Sequence, residues 1–326
     1  MNQPRPSPPQ HGAALLSALL TVALVATLAA GAMWQQWRGL EVESAERHRA
    51  QARWLLLGAL DWARVILRED ALADGDKVVD HLAEPWAVPL QEARLSSFLS
   101  ALPDGGGTNS EDLAMGEQVF LSGHIVDVQS RLPLRNLVQG GRLHPPSQLV
   151  FERLFDALGL PQEELRLLGQ GLLNAQREQS LAMPQRVSQL SWLGLRPQTV
   201  SALSPHVHWL PAGTLINVNT ASATVLYASV PGLSLTQAQR LVQERQRKHW
   251  DNLDAFQQAS GLPIALSASH SVSTRYFEVL GRLRTPSTTV TERSLLVREN
   301  KLLKVLWRES GQWALSPAWR DTGSLQ

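Results

Sequence analysis

Residues 13–33 read AALLSALLTVALVATLAAGAM and contain no charged side chain. A helix of ~20 residues, rising ~1.5 Å at each, covers the ~30 Å hydrocarbon core of a bilayer, so this stretch is long enough to span one. The pattern then changes with no proline to interrupt it. Ala45, Ala52, Leu55, Ala59, Trp62 and Ile66 recur at mostly three- and four-residue steps and share a helical face, with Glu46, Arg47, Arg49, Arg53, Asp61 and Arg64 opposite. The spacing predicts one helix of about 55 residues, roughly 80 Å long, apolar all round in its first half and two-faced in its second.

A polar break at Asp74-Gly75-Asp76 ends this helix, and a loose region with Pro85, Pro89, Pro103 and Gly105-Gly106-Gly107 follows. Residues 119–128 (VFLSGHIVDV) favour a strand. From about residue 147 to 269 the apolar spacing is helical, in LVFERLFDALGL, PQEELRLLGQGLLNAQ, TASATVLYASV, LTQAQRLVQERQRK and NLDAFQQASG. Residues 275–284, 290–298 and 301–307 return to strand character with short turns between them. Strands on both sides of a helical block predict an α+β chain with a helical domain inserted into a small antiparallel sheet.

The first apolar run admits two readings. A cleaved secretory signal needs only ~7–15 apolar residues before a small-residue site, which Ala29-Ala30-Gly31-Ala32 offers. A retained anchor explains instead why the run leads directly into an amphipathic helix. Trp34 and Trp37 then stand where aromatic rings favour the headgroup layer, with Arg38 beyond. Arg5 is the one charge before the run, and the segment is placed with its N-terminus in the cytoplasm.

Composition narrows the chemistry. The chain has 326 residues, enough for a sizeable core, and a net charge of +1, so no global field marks a nucleic-acid binder. With no cysteine, disulfides and thiolate chemistry are excluded. No Gly-x-Ser-x-Gly elbow, His-Glu-x-x-His helix or glycine-rich dinucleotide fingerprint occurs, so an enzyme is not supported. The triple glycine lacks the Gly-Lys-Ser/Thr of a phosphate cradle and reads as a loop.

Three local groups invite a function. Ile216-Asn217-Val218-Asn219-Thr220-Ala221, Val230-Pro231-Gly232-Leu233, Ala238 and Arg245 resemble a helix-hairpin-helix module, with Arg240, Arg245, Arg247 and Lys248 as candidate DNA-phosphate contacts over 216–249. However, Ser234 stands where that turn has its second glycine, and its Cβ opposes the close approach. In the structural reading, Asn217 and Asn219 hold a turn, Asn219 or Thr220 caps the next helix, and Pro231-Gly232 separates two helices. His206 and His208 lack a third ligand and read as a surface pair. Asp70, Asp74, Asp76 and Asp80 lack the spacing of a calcium loop and read as a solvated turn.

His11-Gly12-Ala13-Ala14-Leu15-Leu16 resembles the cleavage site of type IV prepilins and pseudopilins. Together with Trp209-Leu210-Pro211, the 216–222 stretch and Pro231-Gly232-Leu233-Ser234, it resembles the minor pseudopilin K family of type II secretion, also called general secretion pathway protein K. Tyr276-Phe277-Glu278-Val279 and strands ending near Trp307-Arg308-Glu309 are similar to the way that family ends. The resemblance runs from Gly12 to about Glu309.

This resemblance implies a pilin-like fold laid out as a leader (1–12), a transmembrane helix (13–33), a first pilin-like part (34–145), an inserted helical domain (146–271) and C-terminal strands (272–326). It implies cleavage between Gly12 and Ala13 by the prepilin peptidase and N-methylation of Ala13. Ser17 takes the fifth mature position, where most pilins carry a glutamate and the K subunit does not. The implied place is the pseudopilus tip in the bacterial inner membrane, with the soluble domain in the periplasm. There the subunit starts pseudopilus assembly for export of folded proteins across the outer membrane. The implied partners are I- and J-like minor pseudopilins, an H-like or major pseudopilin, membrane lipid, and secreted substrates or the outer-membrane channel. Nucleic acid is not among them; the alternative is a membrane-anchored DNA-uptake protein using 216–249. Family members also hold calcium with an acid-rich stretch of the insert. The corresponding residues 171–192 contain a single acid, Glu178, so calcium is not carried over and no cofactor is expected.

Overall fold

The computed structural model describes residues 11–73, 75, 77–100, 118–177, 183–263, 265–286 and 288–311. The leader before His11, Asp74, Asp76, the triple-glycine loop and Glu178 lie outside them. The chain divides into two units, Met1–Trp54 and Leu55–Gln326. Helix α1 is assigned from His11 to Ala73, 63 residues, so the predicted long helix is present.

In the first unit, Leu15, Leu16, Leu19, Leu20, Val25 and Leu28 are all exposed. This is the one helix among the described residues long and apolar enough to cross a membrane. A span must satisfy its polar groups internally because hydrocarbon offers no partner. The three hydroxyls of the apolar run do so: Ser17 donates to the Ala14 carbonyl at 2.9 Å, Thr21 to Ala18 at 2.8 Å and Thr27 to Leu24 at 2.8 Å.

The second unit is built on a five-stranded antiparallel sheet. In chain order it begins with β1 (Leu90–Arg94), α2 (Leu95–Ser100) and β2 (Phe120–Asp127). The helical part follows, with β3 (Leu132–Pro133), β4 (Val138–Gln139), β5 (Arg142–Leu143), α3 (Pro145–Ala157), α4 (Gln162–Arg177) and a 3₁₀ segment Val187–Leu193. It continues through α5 (Pro197–Leu203), β6 (Val207–His208), β7 (Ile216–Asn217), α6 (Ala223–Ser229), α7 (Leu235–Arg247), α8 (Leu253–Ser260) and β8 (His270–Ser271). The chain returns through β9 (Tyr276–Arg284), β10 (Thr289–Glu299) and β11 (Leu302–Ser310). The sheet order is β1-β2-β9-β10-β11, and Asp127 of β2 pairs with Phe277 of β9. The helical part therefore leaves and re-enters the sheet at two neighbouring strands. Its core begins at Leu132 and includes Phe151, Phe155, Leu226 and Phe256, all fully buried or nearly so.

Within this unit α1 lies on the sheet. Leu60, Ala63 and Leu67 pack with Trp86, Phe277, Val279, Leu296 and Leu303. The buried stripe is Ala52, Leu56, Leu60, Ala63, Leu67 and Ala71; of the predicted face Ala52 belongs to it, Leu55, Ala59, Trp62 and Ile66 flank it half-buried, and Ala45 is exposed. Both stripes are apolar at helical spacing, so period alone cannot rank them; the sheet's side chains select one. Gly123 and Gly281 face each other across β2 and β9. A Cβ on Gly123 would come 2.7 Å from the Leu280 carbonyl oxygen, and one on Gly281 would come 3.0 Å from Leu56. Gly281 thus lets α1 approach the sheet closely, and Gly123 lets β2 and β9 do so.

Candidate functional site

The residues singled out at 216–222 converge on a buried polar hub where the helical part joins the sheet. Strand β7 pairs in parallel with β8, which fixes Asn217 beside Ser271. Asn217 is fully buried. Its Nδ2 donates to the Asp80 carbonyl and to Asp127 Oδ2, both at 3.0 Å, and its Oδ1 accepts the Asn219 N–H at 2.9 Å. Thr220 Oγ1 donates to Asp127 Oδ2 at 2.5 Å, and the Gln129 N–H donates to Asp127 Oδ1 at 2.7 Å. Asn219 binds the Trp250 main chain at both of its side-chain atoms, 3.0 and 2.9 Å. The expected turn role of Asn217 holds, but the helix cap belongs to neither Asn219 nor Thr220. Ser222 caps α6 by accepting the Val225 N–H, because the two upstream side chains are committed to tertiary partners.

A charged layer continues the hub. Arg298 Nη2 donates to both Asp80 oxygens at 2.6 and 2.5 Å and to the Thr274 carbonyl at 2.8 Å, while Nη1 lies 3.8 Å from Asp70. Asp80 also accepts the Thr274 N–H at 2.7 Å. Glu84 accepts the His81 N–H at 2.9 Å and Trp86 Nε1–H at 2.5 Å. The rings of His81 and His249 stack 3.7 Å apart, so this loop also touches the helical part. Burial pushes Glu84 up to about 8 against the His81 bond, with Asp70 and Asp80 adding to the rise. Burial likewise pushes Asp127 up to about 6 against its hydrogen-bond donors.

The expectation of a solvated acidic turn is thus wrong for Asp70 and Asp80. Spacing along the chain did not show that Arg298, 218 residues from Asp80, would meet them. Asp70, Asp80 and Glu84 bring carboxylate oxygens within 4.8 Å of one another, yet the guanidinium already sits on Asp80 and supplies the positive charge. The histidine pair is also corrected. His208 is buried, its Nδ1 accepts the Leu210 N–H at 3.1 Å, and burial followed by the Arg131 charge pushes it down to about 3. Parallel pairing of β3 with β6 carries it inside.

Of the basic residues of the DNA-binding alternative, Arg245 and Arg240 bind the protein's own carbonyls, whereas Arg247 and Lys248 are exposed. Arg245 is largely buried and donates to the Val218 carbonyl at 2.7 Å; Arg240 binds the Ala259 carbonyl at 3.1 Å and pairs with Glu244. Gly232 has a φ of 77° in the Pro231-Gly232 turn, where Arg153 donates to the Val230 and Leu233 carbonyls flanking it. Arg153 thus holds the carbonyls on either side of the turn, while Pro231 and Gly232 themselves are exposed.

Beside the hub, the half-buried stripe of α1 lines an apolar groove of about 260 Å³. Ala59, Trp62 and Ile66 form one wall; Pro85, Val88 and Pro89 stand among the residues facing them. Gly12 and Ala13 lie in the first turn of α1, and Ser17 follows one turn later.

A long N-terminal apolar helix, packed in its second half on an antiparallel sheet interrupted by a helical part, defines a pilin-like protein of the minor pseudopilin class. The sequence model of the family described as Type II secretion system (T2SS), protein K matches residues 216–273, the stretch holding Asn217, Asn219 and Thr220. Type II secretion system protein K of Pseudomonas aeruginosa is 30% identical over 336 residues, covering 94% of each chain. The protein of that name from Klebsiella pneumoniae is 28% identical, over 93% of this chain and 97% of its own. Among solved structures, a chain of the GspK-GspI-GspJ complex from enterotoxigenic Escherichia coli shares the fold at a TM-score of 0.61, with 20% identity, covering 82% of this chain and 99% of that one. The chain belongs to the type II secretion system protein K family and is a minor pseudopilin, a structural component of secretion.

Proposed function

We propose that the chain caps the pseudopilus tip and starts its assembly, bound to I- and J-like subunits and followed by an H-like or major pseudopilin, without catalysing a reaction. Cleavage between Gly12 and Ala13 and methylation of Ala13 would leave α1 as a permanent stem. Its N-terminus would lie at the cytoplasmic side and the sheet and helical part in the periplasm, facing secreted proteins or the outer-membrane channel.

The observation that carries this reading is Ser17. Its hydroxyl is satisfied within its own turn, by the Ala14 carbonyl at 2.9 Å, so the fifth mature position needs no partner in the membrane. A carboxylate there would need a neighbour's ammonium, because an unpaired charge in hydrocarbon is expensive. A subunit with nothing ahead of it gains by lacking the acid. The half-buried stripe Ala59, Trp62 and Ile66 supports lateral packing of other stem helices.

The test is intact-mass analysis of the membrane-extracted chain together with co-purification of I- and J-like subunits. Loss of residues 1–12 with gain of one methyl group, and recovery of both partners, is the expected result. Cleavage near Ala32 instead removes the stem and overturns the proposal. Salt-sensitive binding of random duplex DNA would revive the alternative.

A further inference from the structure

By the family resemblance, the acid-rich stretch with which members hold calcium corresponds here to 171–192, where Glu178 is the only acid. Among the described residues, the one grouping of three metal-ligating side chains is Asp70, Asp80 and Glu84, which lies outside the helical core. Among its described residues the insert therefore shows no grouping of carboxylates such as calcium, with ~6–8 oxygen ligands including several carboxylates, draws on. Something else must hold the returning segment in place, because a crossover without packing or charge pairing would open.

The described part of that segment is pinned by arginine. The 3₁₀ turn Val187–Leu193 follows Arg186, its N-cap residue. Gln189 Oε1 accepts the N–H groups of Gln185 at 2.7 Å and Arg186 at 3.2 Å, which fixes the backbone from which the Arg186 side chain departs. Arg186 Nη1 binds Glu309 on β11, and its guanidinium lies 5.9 Å from the Trp307 ring. At the other end, the Arg196 guanidinium binds Glu164 of α4, whose second oxygen accepts the Arg196 N–H at 3.4 Å. Glu164 is buried. Leu190 is fully buried between these clamps, and a Cβ at Gly171 would come 2.9 Å from Leu193, so the turn sits directly on α4. The two carboxylates that face the segment, Glu164 and Glu309, are both taken by guanidiniums attached to the chain.

We propose that this chain is a calcium-independent member of its family, in which Arg186 and Arg196 supply at the two ends of the 187–193 turn the positive charge that a bound divalent cation would otherwise bring. A guanidinium is always protonated and grips a carboxylate through two donors, so the clamp needs no ion from the medium. The proposal depends on family membership but not on the tip role, since it concerns the isolated chain.

The test uses the full chain in detergent, with calcium ion as the probe. Thermal unfolding in 1 mM calcium and in excess chelator should give Tm values within about 1 °C, and equilibrium titration should show no stoichiometric calcium binding below millimolar concentration. R186Q and R196Q should each lower Tm by a few degrees (the size expected for losing a partly exposed arginine from a more buried carboxylate) and speed proteolysis around 183–196. Calcium should not reverse either change, whereas R186K and R196K should restore part of it. A rise of several degrees on adding calcium, or one equivalent bound, overturns the proposal. So do R186Q and R196Q variants that melt and digest like the parent.

Discussion

Replacing Asp127 by alanine removes the acceptor on which the insert-to-sheet junction turns. Four donors would lose it: Asn217 Nδ2, Thr220 Oγ1, the Gln129 N–H and the Thr274 side chain. A buried donor left without a partner costs ~1–3 kcal/mol; Asn217 keeps the Asp80 carbonyl and some of the others would find water in the vacated space, so D127A should lose about 3–5 kcal/mol. D127N keeps the shape and one oxygen but sets an NH₂ against a donor, for a loss of ~1–3 kcal/mol at low pH. The pH dependence separates this account from a generic packing defect. The Asp127 carboxyl is pushed from 3.8 up to about 6 in the folded chain, so it contributes stability below about 4 that is lost as pH rises through 6. At ~1.36 kcal/mol per unit, that difference is about 3 kcal/mol. Asparagine does not titrate, so the deficit of D127N relative to the parent should shrink between pH 4 and pH 7. The two chains share every histidine, and those contributions cancel in the comparison. Urea titration of the full chain in detergent, followed by far-UV circular dichroism at both pH values, measures it. A D127A chain within about 1 kcal/mol of the parent, or a D127N deficit that grows with pH, would refute the assignment of Asp127 as the keystone of the junction.

Two further perturbations probe neighbouring groups. R298Q leaves buried Asp80 without its guanidinium, and breaking a buried pair from one side should cost ~3–5 kcal/mol by the same titration; a smaller effect than a surface mutation shows that the pair is not buried in solution. His270 is buried with Nε2 3.0 Å from Ser229 Oγ, and burial pushes it from 6.5 down to about 4. Its folded form stays neutral while the unfolded form takes a proton, so stability is lost as pH falls from 6.5 toward 4, by about 3 kcal/mol. H270Q should flatten the acid limb of the pH–stability curve; an unchanged slope rejects the role.

Much of this architecture is visible before any coordinates. Residues 13–33 read as an apolar helix long enough to span a bilayer, retained as an anchor or cleaved as a signal, because an uncharged run of that length cannot be hidden inside so small a sheet. The strands read at 275–284, 290–298 and 301–307 and the helices of the insert follow from their periods, since alternation and 3.6-residue repeats are local properties of the chain. Ser17 and the 216–222 stretch are legible for the same reason: each is a short word whose meaning does not depend on distant residues. Tertiary structure alone decided the rest. Which of two apolar stripes of α1 meets the sheet depended on Trp86, Phe277 and Leu296, and on the glycine at 281 that clears the way for Leu56. Asp80 became the partner of Arg298, and His208 went inside, through contacts between residues far apart in sequence. The charge state and burial of a polar side chain are set by what folds against it, and spacing along the chain carries no record of that.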